Sequence, residues 1–414
     1  MLDCRRRDGA VRGCGISSFG MAGSRHGQSH AARCAPIFPA GLSRRRRLNT
    51  KGRVGGAGGR AFSEKAAVCG GETAGGRMEN MLSVEGLSVS FSVRGRLLRA
   101  VRGVDLTVPA GETLAVVGES GCGKSALAKA VMGLTDRNGR IDAGRVTLNG
   151  MTAQAGDPPE AFARLRRSAA MVLQDPMTSL DPLKRVGWQI AEAVRLHSGC
   201  SWSRAGREAV RLLQMVGIPR AAERARQWPH EFSGGMRQRA VIAAAMACRP
   251  RLLICDEPTT ALDVTVQSRV LDLLLALQRE HGLSMLFITH DLGVVASVAD
   301  RVAVMYAGEI VEQATADELF SDARHPYTWA LLNALPQLHS RGRPLSALPG
   351  SAPVLYDNPP GDAFAPRNPY ALHIDFEQPP PVFSVSPTHT VKSWLADPRA
   401  PRVRPSGMRR QPGL

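Results

Sequence analysis

The sequence predicts an α/β fold organised on a parallel sheet covered on both faces. Three observations carry that expectation. A short apolar strand, Leu114 to Val117, runs into Gly118-x-x-x-x-Gly123-Lys124-Ser125 and then into an apolar-periodic helix. A second continuous apolar run, Leu252 to Cys255, ends in Asp256-Glu257. Between them, Ser233-Gly234-Gly235 opens a helix that Pro250 terminates. Fully apolar strands are what a parallel sheet buried on both faces requires.

The 414 residues leave room for two or three domains and a sizeable core. Hydrophobic content of 43% with 21% charged residues fits a globular protein. No run approaches the ~18 consecutive apolar residues that cross a bilayer, so work at a membrane would need another chain to hold this one there. The net charge of +17 is uneven: residues 1–77 carry 15 Lys and Arg against 4 Asp and Glu, or +11, which leaves +6 for the remainder. That first segment has too little apolar pattern to offset chain entropy, and it lacks the apolar core of a targeting peptide. It is expected to be a disordered basic leader or a misplaced start, with translation beginning at Met78 or Met81, where the first periodic strand begins. Contact of Arg44 to Arg47 with nucleic acid or anionic lipid is the other reading.

Four of the eight cysteines lie in this leader; the others, Cys122, Cys200, Cys248 and Cys255, show no C-x-x-C spacing. They read as reduced thiols, without a zinc or redox motif.

Next along the chain stands the phosphate cradle. In Gly118-x-x-x-x-Gly123-Lys124-Ser125, with Ser120 and Gly121 inside it, glycines allow successive backbone N–H groups to turn inward around phosphate oxygens. The helix that follows presents its positive end to the anion. Lys124 is expected to reach the β and γ phosphates, and Ser125 to ligate Mg²⁺. Asp256, at the C-terminal end of its strand, is the natural second partner of that ion, and Glu257 is placed to polarise an attacking water. Ser233-Gly234-Gly235 would be an ordinary N-cap if it stood alone. It lies 23 positions before Asp256, in a chain that already handles phosphate, and so reads as a second anion-binding helix start.

Together these motifs resemble the nucleotide-binding subunit of an ABC transporter. Phe232-Ser233-Gly234-Gly235-Met236 stands where the family has its LSGGQ signature, Gln174 matches the Q-loop, and Ala261-Leu262-Asp263 matches the D-loop. His290 matches the switch histidine, and Phe91 the aromatic that stacks on adenine. The motifs run in family order between about residues 82 and 312. The departures are Phe232 for Leu, Met236 for Gln, and Cys122 within the cradle.

The resemblance implies a P-loop NTPase ABC nucleotide-binding domain over 82–320. It would comprise a RecA-like core sheet, an antiparallel β-subdomain and a helical signature subdomain over about 175–235. It implies ATP and Mg²⁺ as cofactors, with Gln174 also near the metal, Glu257 as general base and His290 sensing the γ-phosphate. Ser233, Gly234, Gly235 and Asp263 would complete the ATP site of a second cassette, head to tail. Apolar Ile190, Ala193 and Val194 are expected on one face of an amphipathic helix in the subdomain that grips the membrane partner.

"QDPMTSLDP", "SGGMRQR", "DEPTTALDVTVQ" and "RHPYTWALLNALP" narrow the resemblance to oligopeptide/dipeptide permease ATPases. This implies ATP hydrolysis coupled to solute import, with a second ABC ATPase subunit, two transmembrane permease subunits and an extracytoplasmic solute-binding protein as partners. The place of work would be the cytoplasmic face of the inner membrane. The alternative is an ABC-type ATPase acting on nucleic acid or ribosome. No long coiled coil separates Lys124 from Ser233 and only one P-loop is present, so no nucleic-acid partner is expected.

Residues 321–414 would form the extension typical of these ATPases, ending in a disordered tail. Relatives read G-C-x-F-x-P-R-C-P there, and in some of them four thiolates hold an iron–sulfur cluster. This chain keeps Gly361, Phe364, Pro366, Arg367, Pro369 and Tyr370, but has Asp362, Asn368, Asp375 and Ser393 at the cysteine positions. No iron–sulfur cluster is therefore expected, since such clusters are held by thiolates. Asp362, His373, Asp375 and His389 have the chemistry of a hard-metal site. The preferred expectation is a solvated, proline-stiffened tail.

Overall fold

A computed structural model of the chain describes residues 80–175, 179–260, 262–335 and 348–403, all within the unit Thr73–Leu414. The leader 1–77, Met78, Ala261 and the last residues, 404–414, lie outside the described residues.

Strands β1 (Asn80–Val93) and β2 (Arg96–Pro109) form an antiparallel hairpin closed by Arg94-Gly95, both at positive φ. Strands β4 (Gly139–Leu148) and β5 (Met151–Gln154) form another, closed by Asn149-Gly150, again both at positive φ. Such turns match the right-handed twist of the strands they join, and Asn-Gly is their strongest sequence signal. The four strands make one sheet in the order β2-β1-β4-β5.

The core sheet contains β3 (Thr113–Val117), β6 (Ala169–Val172), β7 (Leu252–Asp256), β8 (Ser284–Thr289), β9 (Arg301–Tyr306), β10 (Glu309–Thr315), β11 (Val382–Ser384) and β12 (Thr390–Lys392). Their order is β11-β12-β10-β9-β3-β8-β7-β6, parallel from β9 to β6 and antiparallel from β9 through β11. Every residue of β3, β7 and β8 is buried, and the two-residue period of a strand sorts those of β7 and β8 between two cores. Leu253, Cys255, Met285 and Phe287 pack with the helical side, whereas Leu252, Ile254, Leu286 and Ile288 pack with the antiparallel sheet and helix α1 (Lys124–Val131).

On the helical side lie α3 (Val186–Ser198), α4 (Trp202–Met215), α5 (Ala221–Arg224) and α6 (Gly234–Met246); α2 (Pro159–Leu165) belongs to the other core. Helix α3 buries Ile190, Ala191 and Val194, while Ala193, expected on that face, is only partly buried. The remaining helices are α7 (Val264–His281), α8 (Leu292–Val298), α9 (Ala316–Asp322), α10 (Pro326–Asn333) and α11 (His373–Glu377).

The C-terminal residues correct the expectation of a solvated tail. Phe364 is fully buried against Tyr306, Tyr327 and His325, with ring centroids 5.1, 5.3 and 5.8 Å away. Asn368, Asp375, His389 and Ser393 are buried too. The prolines space short turns over a third core built on β9 and β10, which buries enough aromatic surface to hold the segment down.

Candidate functional site

The cradle sits between β3 and α1. Gly118 is forced by packing: a Cβ there would lie 2.2 Å from the carbonyl oxygen of Met305 on β9. Gly123 is forced twice, by a φ of +109° and by the Ala100 carbonyl oxygen 2.2 Å from where its Cβ would be. The loop's shape is thus fixed by neighbouring strands as well as by its own torsions. Ser120 and Gly121 lie exposed at its turn. The Lys124 ammonium is buried and donates to the carbonyls of Gly118 and Glu119 at 2.8 and 2.9 Å.

Ser125 and Asp256 come together as expected, with Ser125 Oγ donating to Asp256 Oδ1 at 3.0 Å. Burial pushes the Asp256 carboxyl above its usual range, against the Ser125 hydrogen bond, and the neighbouring Glu257 charge adds to the push. A carboxylate short of compensating charge, beside a hydroxyl and a phosphate loop, fits a hard divalent cation.

Glu257 is the hub of the site. Its backbone sits at φ +46°, a strained position for a residue with a side chain, and its N–H is held by the Ile288 carbonyl at 2.9 Å. Gln174 Nε2 and Thr260 Oγ1 each donate to Oε2 at 2.9 Å, and His290 Nδ1 lies 3.2 Å from Oε1. Burial raises its pKa, but the hydrogen bonds from His290 and Thr260 outweigh that and hold it below its ordinary value. Glu257 therefore stays an anion with a fixed orientation. The amide nitrogen of Gln174 is engaged with Glu257, not with Asp256 or Ser125.

Ser233 caps α6, accepting the Met236 N–H at 3.3 Å, and Ser233 and Gly234 are exposed. Gly235 is buried against α7, where a Cβ would meet Val266 Cγ1 at 2.4 Å. Asp263 caps α7 through the Val266 N–H at 2.9 Å and is also exposed. Among the described residues no hydrogen bond ties these groups to the cradle of the same chain. The Phe91 ring, half-buried on β1, lies over Gly139, where a Cβ would come within 2.7 Å of it.

Two residues here were not read as functional from the sequence. Thr260, in the "DEPTT" stretch, holds Glu257; its hydroxyl was the available signal. Arg367, kept from the extension's pattern, forms a bidentate pair with Glu119 inside the cradle.

The four positions where the resemblance would place cysteines accept backbone N–H groups. Asp362 takes that of Phe364, Asn368 that of Tyr370, Asp375 that of Leu372 and Ser393 that of Leu395, at 2.6–3.3 Å. Among the described residues no His, Cys, Asp and Glu group is disposed to hold a metal, so the hard-metal reading of Asp362, His373, Asp375 and His389 gains no support.

Residues 101–260 match the family model for the ABC transporter, and residues 311–374 match that for the oligopeptide/dipeptide transporter, C-terminal region. The oligopeptide transport ATP-binding protein AmiE of Streptococcus pneumoniae serotype 4 is 52% identical over 324 residues, spanning 78% of this chain and 91% of that protein. OppD of Bacillus subtilis, also an oligopeptide transport ATP-binding protein, is 52% identical over 331 residues, 80% and 92% of the two chains. The dipeptide transport ATP-binding protein DppD of Lactococcus lactis is 49% identical over 330 residues, 79% and 94%. Among solved structures, the ATP-binding cassette MJ0796, in a dimeric post-hydrolysis state bound to ADP and Pi, shares the fold. Its TM-score is 0.51 at 24% identity, over 57% of this chain and 99% of that one. CbiO1 from Clostridium perfringens gives 0.50 at 26% identity, over 59% and 91%.

Proposed function

Because the chain belongs to the ATP-binding subunits of ABC transporters, in their oligopeptide/dipeptide group, we propose that it hydrolyses ATP to drive the import of di- or oligopeptides. The observation that carries the chemistry is the Glu257 hub: a strained, oriented carboxylate with Gln174, Thr260 and His290 around it. The solute class rests on the relatives' names and on the matched C-terminal region.

In this reading ATP enters with its adenine against Phe91 and its phosphates in the cradle. The loop N–H groups and the start of α1 meet the phosphate oxygens, and Lys124 exchanges its two carbonyl partners for β and γ oxygens. Ser125 and Asp256, with the amide oxygen of Gln174, would hold Mg²⁺, which when bound neutralises phosphate charge. Glu257 accepts a proton from water, and His290 fixes the carboxylate and senses the γ-phosphate. Ser233, Gly234 and Asp263, exposed on another part of the cassette, would serve the ATP of a second ABC ATPase subunit. Gly235 would set the height of α6 over α7.

Among the described residues no helix is long and apolar enough to cross a membrane. The chain would therefore reach the cytoplasmic face of the membrane through two permease subunits, which a solute-binding protein supplies. We assign the permease contact to the exposed Leu183, Trp188, Leu196 and Trp202 of the helical region, where the two indoles stack at 5.5 Å. The extension is read as free of an iron–sulfur cluster.

Replacing Glu257→Gln tests the hub. The expected result is a loss of phosphate release of about 100-fold or more with ATP binding retained. Turnover near that of the unaltered protein would overturn the assignment of the base.

A further inference from the structure

The cradle contains a carboxylate of its own. Glu119 directly follows Gly118, in a loop whose purpose is to attract an anion. An unbalanced charge there would oppose ATP: at an effective dielectric near 20, two unit charges ~8 Å apart alter an equilibrium roughly 10-fold or more. The carboxylate is felt within the loop. Burial pushes the Cys122 thiol up, Lys124 opposes that, and the Glu119 charge adds to the rise.

Glu119 is held at three points. Its carbonyl accepts from Lys124, and its N–H donates to the buried Tyr327 hydroxyl at 2.8 Å. Its carboxylate takes both arms of Arg367, Nη1 to Oε2 at 2.7 Å and Nη2 to Oε1 at 2.9 Å. Tyr327 lies on α10 and Arg367 in the extension, 248 positions from its partner. Arg367 is itself locked. Its side chain is only 9% exposed, Nε donates to the Pro349 carbonyl at 2.8 Å, and further bonds run to Gly350 O and the Tyr306 hydroxyl. A planar fork held on every side is the geometry that makes Arg irreplaceable by Lys.

We propose that the C-terminal extension is a working part of the nucleotide site, with Arg367 as a positioning residue that neutralises Glu119 and, together with Tyr327, fixes the phosphate loop for ATP. This rests on the ATPase reading above. The extension then acts on the nucleotide without touching it: loss of Arg367 leaves a free carboxylate in the cradle, on a loop that Tyr327 still tethers.

The full-length chain, assembled with its transporter partners for turnover, provides the test, with ATP as the probe. Arg367→Met is expected to raise the Kd and KM for ATP about 10-fold or more while kcat stays within about twofold. Arg367→Lys is expected to fall between, keeping the charge but losing the fork. The decisive variant is E119Q/R367M, which removes both charges and is expected to return ATP affinity to within about threefold of the unaltered protein. A purely structural Arg367 would leave the double variant as weak as R367M or weaker, and that result overturns the proposal. So does an R367M affinity within twofold of the unaltered protein. If R367M does not fold, R367Q against E119Q/R367Q carries the same comparison. Failure of the unaltered chain to bind ATP would instead sink the ATPase reading.

Discussion

Asp362 and His325 give the extension opposing responses to acid. Burial raises the Asp362 carboxyl to about 6, against the Phe364 hydrogen bond, with Asp375 and Glu309 adding to the rise. Between about pH 4 and 6 the folded chain therefore keeps a proton that the unfolded chain has lost, and stability falls as pH rises through that window. Burial lowers the His325 imidazole to about 4, so between pH 4 and 6.5 the unfolded chain binds a proton the folded one refuses, and stability rises with pH. The two slopes offset each other. Asp362→Asn removes the first and keeps an oxygen for the Phe364 N–H. The variant should be more stable than the parent by about 1–3 kcal/mol at pH 7.5, and the advantage should vanish near pH 4. Denaturant midpoints at the two pH values measure it; an equal difference at both would refute the account.

At the scale of elements, two carboxylates latch the extension to the cassette. Glu312 on β10 is buried and accepts the backbone N–H of His325 at 3.1 Å and the His389 Nε2 at 2.8 Å. Three positions beyond β10, Glu318 completes the capping box of α9 and takes hydroxyls from Ser386 and Thr388. The Ser386 bond is the chief cause that holds its carboxyl down at about 2. Both contacts are to the turn that joins β11 to β12. His389→Leu should cost about 1.5–3 kcal/mol, because it removes one donor from a buried carboxylate that keeps the Arg324 and His325 N–H groups. Limited proteolysis should then cut the extension first, and unchanged resistance would argue against the latch.

Much of this architecture was legible locally. The burial of every residue from Leu252 to Cys255 follows from an unbroken apolar run, and Lys124, Ser125, Asp256 and Glu257 follow from phosphate chemistry. The extension was misread because the features that fold it are distant in sequence. Phe364 finds Tyr306 and Tyr327, Arg367 finds Glu119, and His389 finds Glu312; no local period encodes any of these pairs. Removing four cysteines from a known pattern looked like removing its staples. Asp362, Asn368, Asp375 and Ser393 supply backbone acceptors instead, a substitution that is visible only once the turns are seen.

For the molecule as a whole, the cassette and its extension share one sheet and one aromatic core. Ligand binding to one should therefore be felt in the other. ATP at about 100 times its Kd stabilises the bound state by roughly 2.7 kcal/mol. Amide hydrogen exchange should show added protection at Phe364 and Arg367 as well as at Gly118 to Ser125. Protection confined to the loop would separate the two parts energetically. The position of β12 has one more consequence. It pairs with β10 through Glu312 with Val391 and Gln313 with Thr390, and so covers a margin that would otherwise offer unpaired backbone groups to any passing chain. Its cover, β11, is only three residues long, too short to template another strand. Because the hairpin comes well after β10 in the chain, that margin stays open to misassociation until the hairpin itself has been made. Closing that margin protects a newborn chain from its neighbours.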